Sequence, residues 1–499
     1  MAMQILGGHS YTFFWGGTYG GVEPYLMAPL LWLFGPNPAA VNATPALLGA
    51  AMAVVVWRTA RHLVRSPGAA ALAGAVVWVW PEPITWLSTR ETGFHEAGLL
   101  LGVLLVFWAV RIATASRRRL GDWAALGATF GLGWWASPEI VYFAVPAAVL
   151  IAASLWRAVR HRDVATWAGV ALAEAASFGA GLPWIYTNVH THLASLHHSP
   201  APYGYWYRFG VFWSEDLPIL LGLRVQGGGS WVVGAGLGVA LCIVAGSVLV
   251  ACAVLLWKRR PPARAVVLGL AAFPFIFAAF PTNGFWHDAR YAAPLGPLAV
   301  LVLVGGLAEG AALPVLTNGQ RRVGLGLLGA ALALLVVVPF DLSQGGGLAS
   351  SRLVTALGPD PDAGTRQVVA TLEALRVRYA YGTYWIAYDV MFLSDRRVTM
   401  TEIDDVRWRG AWDAVNAAPS PAWVFPDPQV LGAATAEFGV TDFGYPEAAL
   451  LGYLADHRIG YSLHRAGLVD VIQPWRRVTA ADVGAHPVFV WDPVLASRA

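Results

Sequence analysis

Charge is scarce in this chain. Asp, Glu, Lys and Arg together make up 13% of its 499 residues, against about 25% in an ordinary soluble domain. The net charge of +3 is too small for a nucleic-acid-coating surface. Cysteine is scarcer still. Cys242 and Cys252 are the whole supply, and both lie in one apolar run. Ten residues apart on a helix, they are separated by about 15 Å. That is beyond the reach of a disulfide, so both read as small core residues. Lysine is nearly missing: Lys258 stands alone among 33 basic residues. With the abundance of Ala, Gly and Val, this is the codon bias of a GC-rich bacterial genome. No Rossmann, Walker or zinc-ligand pattern occurs, and no internal repeat is visible. Residues 1–38 lack both the basic segment and the long apolar segment of a signal peptide.

What is abundant is apolar surface: 57% of residues are hydrophobic and 24 are Trp, a residue that favours membrane–water interfaces. Basic clusters punctuate the apolar runs in a regular phase. They are Arg58/Arg61/Arg65, Arg117–Arg119, Arg157/Arg160/Arg162, Lys258–Arg260 with Arg264, and Arg321/Arg322. Positive charge collects on the cytoplasmic side of membrane spans. The chain is therefore expected to weave through a bilayer as a polytopic α-helical membrane protein. A span takes roughly 20 apolar residues. On that measure ten spans are expected, at 40–57, 68–81, 95–112, 122–136, 139–156, 165–183, 231–257, 265–281, 292–310 and 323–340. The pair flanking Ser137-Pro138 is short enough to be read instead as a re-entrant hairpin. Placing the basic loops in the cytoplasm puts 1–38, 82–94, 184–230, 282–291 and everything after 341 outside. A polar, Gly-rich N-terminus on that side has no means of crossing, so a further transmembrane helix is expected ahead of it.

The composition changes after Pro339. Residues 342–347, LSQGGG, make a flexible linker. Beyond about 352 the charges are mixed and the apolar runs short. The chain divides into a membrane domain (1–341), a linker (342–351) and an extracytoplasmic α/β domain (352–499). In the last, 365–380 reads as an amphipathic helix, and 379–392, 396–401, 422–425, 459–464 and 487–491 read as strands.

Candidate chemistry lies mostly in the outer segments. The first carries Gly16, Gly17, Gly20 and Gly21 among Phe13, Phe14, Trp15, Tyr19 and Tyr25. Glycine lets backbone approach a ligand closely, and aromatic rings suit a sugar face or an interface. Glu23 is the only acid in the first 80 residues, and it opens an apolar helix. A carboxylate near membrane depth is costly and marks a functional site by default. It could serve as a general base or simply complement the helix dipole. The second outer loop carries Glu82, Arg90, Glu91, His95 and Glu96. Glu91 and His95 share a helix face, and these groups could position an acceptor. One His and two acids could also take a divalent metal, but their spacing names no metal site. Glu139 follows Ser137-Pro138 beside Trp134 and Trp135, as a helix-start carboxylate first and a groove residue second. In the long loop, His190, His192, His197 and His198 read as interfacial. Tyr203, Tyr205, Trp206, Tyr207 and Arg208 form an aromatic belt that could line a groove. Arg290 with Tyr291 stands where an outer loop meets a span, beside His287 and Asp288. A guanidinium there suits a phosphate held by a two-pronged fork. Asp360-Pro361-Asp362 resembles a metal-binding DXD but lies in a Pro/Gly-rich linker.

Taken together, the stretches FFWGGTYGGVEPYLMAPLLWLFGP (13–36), GLGWWASPEIVYFAVPA (131–147), LPWIYTN (182–188), RYAAPLGPLAVL (290–301) and GTYWIAYDVMFLSDRRV (382–398) resemble bacterial members of the membrane-embedded C-type glycosyltransferases. The nearest branch is the protein-mannosyltransferase-like and aminoarabinose-transferase-like enzymes. The resemblance implies a sugar donor on a polyprenyl monophosphate, an acceptor on the outer face and transfer with inversion. It implies an outer-loop acid that deprotonates the acceptor, for which Glu23, Glu91 and Glu96 are candidates. It also implies a basic residue that holds the lipid phosphate, for which Arg290 and Arg90 are candidates, with Tyr291 beside them. Tyr19, Trp15, His95, Glu139 and Arg208 would line the substrate groove. The family places a first helix and then an Asp or Asp-Glu ahead of the point where this chain begins, so the expected missing helix and that acid are one gap. The partners implied are the lipid-linked donor, a glycan, lipid or protein acceptor, and the bilayer of a bacterial inner membrane. The rival readings are a non-catalytic relative that binds a glycan or protein, and a transporter or flippase. The transporter reading places polar groups at mid-bilayer, whereas here they cluster in the loops.

Overall fold

The computed structural model describes residues 1–312 and 361–487, apart from residues 16, 18, 81, 90–92, 116–118, 197–202, 225–229, 282, 284–288, 404–405, 427–445, 468 and 486. The membrane portion opens with α1 (Ala2–Leu6), α2 (Val22–Phe34), α3 (Pro38–Leu63), α4 (Pro67–Val79) and α5 (Glu82–Thr89). It continues with α6 (His95–Thr114), α7 (Leu120–Ala136), α8 (Ile140–His161), α9 (Val164–Ala180) and α10 (Leu182–His190). Then come α11 (Tyr205–Val211), α12 (Leu217–Leu220), α13 (Ala235–Arg259), α14 (Arg264–Ala279) and α15 (Leu295–Ala311). Local chemistry sets several of the starts. Asn37 and Ser66 each accept a backbone N–H three residues on, ahead of prolines at the first helical position of α3 and α4, where a missing N–H costs nothing. Asp163 caps α9 by accepting the Ala165 N–H at 3.1 Å and the Thr166 hydroxyl at 2.9 Å.

Each of the nine expected spans before residue 312 falls on a helix; the tenth, 323–340, lies outside the described residues. Length and composition suit five of these helices to crossing a membrane: α3, α6, α8, α13 and the segment Pro261–Ala279 that contains α14. The pair α9–α10, bent by 60° at Gly181, makes a sixth. Among the described residues, α2, α4 and α15 are shorter apolar helices. The expectation of short or re-entrant helices around Ser137-Pro138 fails for the second of them, because α8 runs on for 22 residues. Side chains such as Leu237, Ile243, Val244 and Val250 on α13, and Val164 and Phe178 on α9, are exposed, as lipid-facing positions of a bundle are.

Apolar burial cannot drive helices together in lipid, so close packing of small residues must. At Gly127 and Gly131 of α7 an added Cβ would lie 1.9 Å from Ala173 O and 2.2 Å from Ser177 O of α9. Small residues four apart thus face small residues four apart, and the two backbones touch. Gly306 of α15 meets Cys252 of α13 in the same way. Both cysteines are free thiols, and Cys252 is buried. Two ion pairs neutralise charge at bundle ends: Arg111 with Asp122 at 2.9 Å and Arg260 with Glu309 at 2.6 Å.

The second unit is a five-stranded sheet of order β2-β1-β3-β5-β4, with β1 (Tyr379–Gly382), β2 (Thr399–Glu402), β3 (Ala422–Pro426), β4 (Tyr461–Ala466) and β5 (Val469–Pro474). β1 pairs parallel with β2 and β3, and β5 pairs antiparallel with β3 and β4. Side-chain alternation builds two cores. Ala380, Ala422 and Val424 face helices Pro361–Ala374 and Tyr384–Leu393, while Tyr381, Trp423 and Phe425 face Arg409–Ala417 and Glu447–Asp456. Two strand expectations need correction. Only 379–382 of the expected 379–392 is a strand. The rest is helix Tyr384–Leu393, because Ala387, Val390 and Met391 are buried at helical spacing despite their β-forming neighbours. The strand Val469–Pro474 was not anticipated, and 488–491 of the expected strand 487–491 lies outside the described residues.

The α7–α9 contact yields a stability prediction. Gly127→Val places a side chain against backbone that cannot rotate away, so a loss of at least about 1–3 kcal/mol is expected. The measurement is the thermal midpoint of the detergent-solubilised chain, with Gly121→Val, whose Cβ meets nothing within 4 Å, as the matched control.

Candidate active site

Three buried carboxylates gather around the first turn of α6. Glu96 sits in that turn and is 1% exposed. Glu23, from the start of α2 and also 1% exposed, accepts the Ala97 N–H on Oε2 at 3.2 Å. Glu139, at the start of α8, meets His95 Nδ1 through Oε1 at 3.1 Å. Its other oxygen, Oε2, is buried with no hydrogen-bond partner among the described residues. The chain brings them together because α2, α6 and α8 all begin at the same end of the bundle. Helix N-termini carry unsatisfied amides and a partial positive charge, which offsets part of the cost of burying anions there. Close glycine contacts tighten the cluster: a Cβ on Gly98 would lie 3.0 Å from Ser137 Cβ and 3.7 Å from Glu139 Oε2.

Aromatic rings extend the cluster in a line. His95 lies 4.2 Å from Phe94 and 5.5 Å from Tyr291, and Phe94 lies 4.5 Å from Tyr19, edge to face. Arg290, in the 3-10 turn Ala289–Ala292, sets its guanidinium carbon 5.2 Å from the Tyr291 ring centre. Burial pushes the Tyr19 hydroxyl well above the ordinary phenol range; Tyr291 and Glu139 push the same way, and Arg290 and Arg407 oppose. Tyr19 is thus a protonated hydrogen-bond donor at any physiological pH.

The first loop holds this geometry. Phe13 bridges Gly20, and Phe14 N–H donates to Tyr19 O at 2.9 Å, so Phe13–Phe14 and Tyr19–Gly20 pair as the two arms of a hairpin. Gly20 has φ +88°, a conformation open to glycine, and packs against Phe14 and Phe94. Trp135 Nε1 donates to Thr12 O, and Thr187 donates to the Thr12 hydroxyl at 2.7 Å. Gly21 makes room for this: its Cβ would lie 2.0 Å from Thr12 O. The glycines and aromatics singled out in the sequence build the loop as much as they line a groove.

The other expected residues fall in different places. Glu91 and Arg90 lie outside the described residues, as do His287 and Asp288. Arg208 is buried and donates to Ala278 O at 2.8 Å and to Tyr203 O, so it ties the long loop to α14. Trp15 turns to the soluble domain, where it stacks on Trp408 at 5.1 Å and 9°. Among the described residues, no group of three or more His, Cys, Asp or Glu side chains converges as a metal site would. Two features were not signalled by the sequence. One is the pairing of Glu139 with His95, 44 residues apart. The other is Arg407, whose charge reaches Tyr19 from the second domain; both are long-range contacts without a local pattern. A cavity of about 80 Å³ beside the site, lined in part by Gly49, Ile84 and Ser88, is far below the roughly 300–1,000 Å³ of a small-molecule pocket.

Residues 22–184 match the dolichyl-phosphate-mannose-protein mannosyltransferase family. No curated protein matches the chain by sequence. Among solved structures, ArnT from Cupriavidus metallidurans in the apo state aligns with a TM-score of 0.58 at 12% identity, over 95% of this chain and 91% of that one. The same protein bound to undecaprenyl phosphate aligns at 0.57 and 13% identity, with the same coverage. At such identity the likeness establishes a shared fold.

The Glu23 contact can be tested apart from any activity. Glu23→Gln keeps an oxygen that accepts the Ala97 N–H and should leave stability nearly unchanged. Glu23→Leu strands that buried amide and should cost about 1–3 kcal/mol, read as the difference between the two thermal midpoints in detergent.

Proposed function

We infer that this chain, which has the fold of the membrane-embedded C-type glycosyltransferases of the mannosyltransferase and ArnT type, transfers a sugar from a polyprenyl-monophosphate-sugar donor to an acceptor. The observation that carries the reading is the placement of the His95–Glu139 pair next to Tyr291 and Arg290, a base beside a phosphate-suited cation. A carboxylate on Nδ1 orients the imidazole and leaves Nε2 with its lone pair, as in nucleophile–base–orienter sites generally. His95 then takes the acceptor proton while the acceptor oxygen bonds the anomeric carbon. The bond from that carbon to the phosphate oxygen breaks, and its electron pair leaves on the polyprenyl phosphate, which Arg290 holds. Attack opposite the leaving group inverts the anomeric centre. Tyr19 serves as a neutral donor facing the sugar or the phosphate. Glu23 and Glu96 remain alternative bases, though the Ala97 amide already engages one oxygen of Glu23. ArnT has been solved bound to undecaprenyl phosphate, which is consistent with a lipid phosphate here.

The alternating basic loops favour a bacterial inner-membrane protein whose soluble domain is extracytoplasmic. Acceptors of glycan, lipid or protein type all fit an outer-facing site.

Membranes expressing the chain should transfer radiolabelled sugar from a synthetic polyprenyl-phosphate donor. His95→Gln and Glu139→Gln should each lower kcat by about 10²–10⁴-fold, the usual contribution of a positioned base. If Glu23→Gln is the silent variant and Glu139→Gln is active, the base is Glu23 instead. No transfer across a panel of donors, with no binding of polyprenyl phosphate, would remove the enzyme reading. For sidedness, Ala374→Cys in a chain with Cys242 and Cys252 replaced by Ser should react with an impermeant thiol reagent from outside. Labelling only after lysis would reverse the topology.

A further inference from the structure

Among the described residues, the soluble domain meets the first-loop hairpin. Its loop after β2 carries Arg407 and Trp408, and Trp408 lies flat on Trp15 of the first-loop hairpin. Tyr388 approaches the same Trp15 ring at 5.7 Å. Four residues on from Trp15, across the turn closed by Phe14 N–H and Tyr19 O, stands Tyr19. From there the ring line Phe94, His95, Tyr291 leads to Arg290. One hairpin therefore joins the two arginines, with Arg407 on the soluble-domain side and Arg290 on the membrane side.

Arg407 is built to hold its head still. Its guanidinium carbon lies 4.0 Å from the Tyr384 ring centre, with Nη1 3.4 Å from the Tyr384 hydroxyl. Its backbone N–H donates to Glu402 Oε1 at 2.9 Å, and the same oxygen accepts from Tyr388 at 2.6 Å. Burial and the adjoining Glu402 carboxylate hold the Tyr388 hydroxyl far above the usual phenol range, so it stays protonated and keeps this bond. The loop is thus anchored by main chain and by Trp408, while the Tyr384 ring carries the Arg407 guanidinium.

We propose that Arg407 is the second cation of the phosphate site: the soluble domain, docked through Trp15 and Trp408, lays it over the leaving phosphate and completes a site that Arg290 begins. This rests on the lipid-phosphate reading of Arg290. The chemistry favours a second cation that acts late. The donor's phosphodiester carries one negative charge. The polyprenyl phosphate released when the sugar's carbon–oxygen bond breaks carries between one and two, since its second pKa is about 6. A guanidinium placed for that extra charge stabilises the transition state and product more than the bound donor, which raises kcat with little effect on KM. A charge-assisted contact of this kind contributes about 1.5–3 kcal/mol, so the expected loss of kcat is roughly 10–100-fold.

The test uses the full chain in lipid nanodiscs, with tritiated polyprenyl phosphate as the binding probe and the sugar-loaded lipid as substrate. Wild type should bind polyprenyl phosphate, and Arg290→Ala should weaken that binding. Arg407→Ala should lower kcat by the stated factor, leave the donor KM within about threefold, and weaken binding and inhibition by polyprenyl phosphate. Arg407→Lys should fall between, keeping charge without the fork. Arg409→Ala, an exposed neighbour near Asp413, should match wild type. Should Arg407→Ala fail to fold, Arg407→Gln carries the same readout. If Arg290→Ala weakens binding while the Arg407 variants match wild type, this proposal is overturned and the lipid-phosphate site stands. Equal loss of donor and product affinity at Arg407 also overturns it, because the cation would then not sense the charge that departure creates. If wild type binds no polyprenyl phosphate, the phosphate reading falls and takes this proposal with it.

Discussion

Burying carboxylates at the end of an apolar bundle is the constraint around which this protein is arranged. Glu23, Glu96 and Glu139 are all nearly inaccessible, and an isolated buried anion is far too costly to persist. Each is placed where something offsets that cost: the α6 amide end for Glu23 and Glu96, and the imidazole of His95 for Glu139. Those partners exist only because three helices begin together. That in turn calls for glycines at 98 and 102 of α6, where a Cβ would lie 3.0 Å from Ser137 Cβ and 2.1 Å from the Phe143 ring. The polar site and the small-residue seams are two sides of one packing solution.

The first loop converts this buried cluster into something a substrate could meet. Its hairpin places Tyr19 over Phe94 and turns Trp15 the other way, onto Trp408. A stacked pair of this kind contributes about 0.5–1.5 kcal/mol beyond the area it buries. Tyr388 adds a second ring to Trp15, and Phe392 packs against the cluster of Ala2, Met27 and Leu31, so the soluble domain meets the first helices through several side chains.

Much of the architecture is legible in the sequence. Long apolar runs and the phase of the arginine clusters are one-dimensional signals, and every described span landed on a helix. The change of composition after Pro339 likewise marked a separate α/β unit. The sequence says less about the soluble domain, where aromatic and β-branched residues, as in Tyr384–Leu393, form a helix whose buried face is set by its neighbours and not by propensity. The site divides along the same line. Glu23, His95, Glu96, Tyr19 and Arg290 stood out because a polar group beside an apolar run is locally conspicuous. In the sequence Glu139 is mainly a helix-start carboxylate, and its importance comes from a partner 44 residues away. Arg407 gave no signal, since an arginine in a polar domain is unremarkable until folding brings Trp408 onto Trp15.

The touching backbones of α7 and α9 have a mechanical consequence. Side chains can slide past one another by changing rotamer, but a glycine resting on a carbonyl oxygen has no such freedom, so the two helices form one rigid lever. The far end of that lever is Trp135, which grips Thr12, while Gly131 also abuts the α9–α10 bend at Gly181. The loop that orders Tyr19 and Trp15 is in this sense clamped, through Thr12, to the packed pair α7–α9.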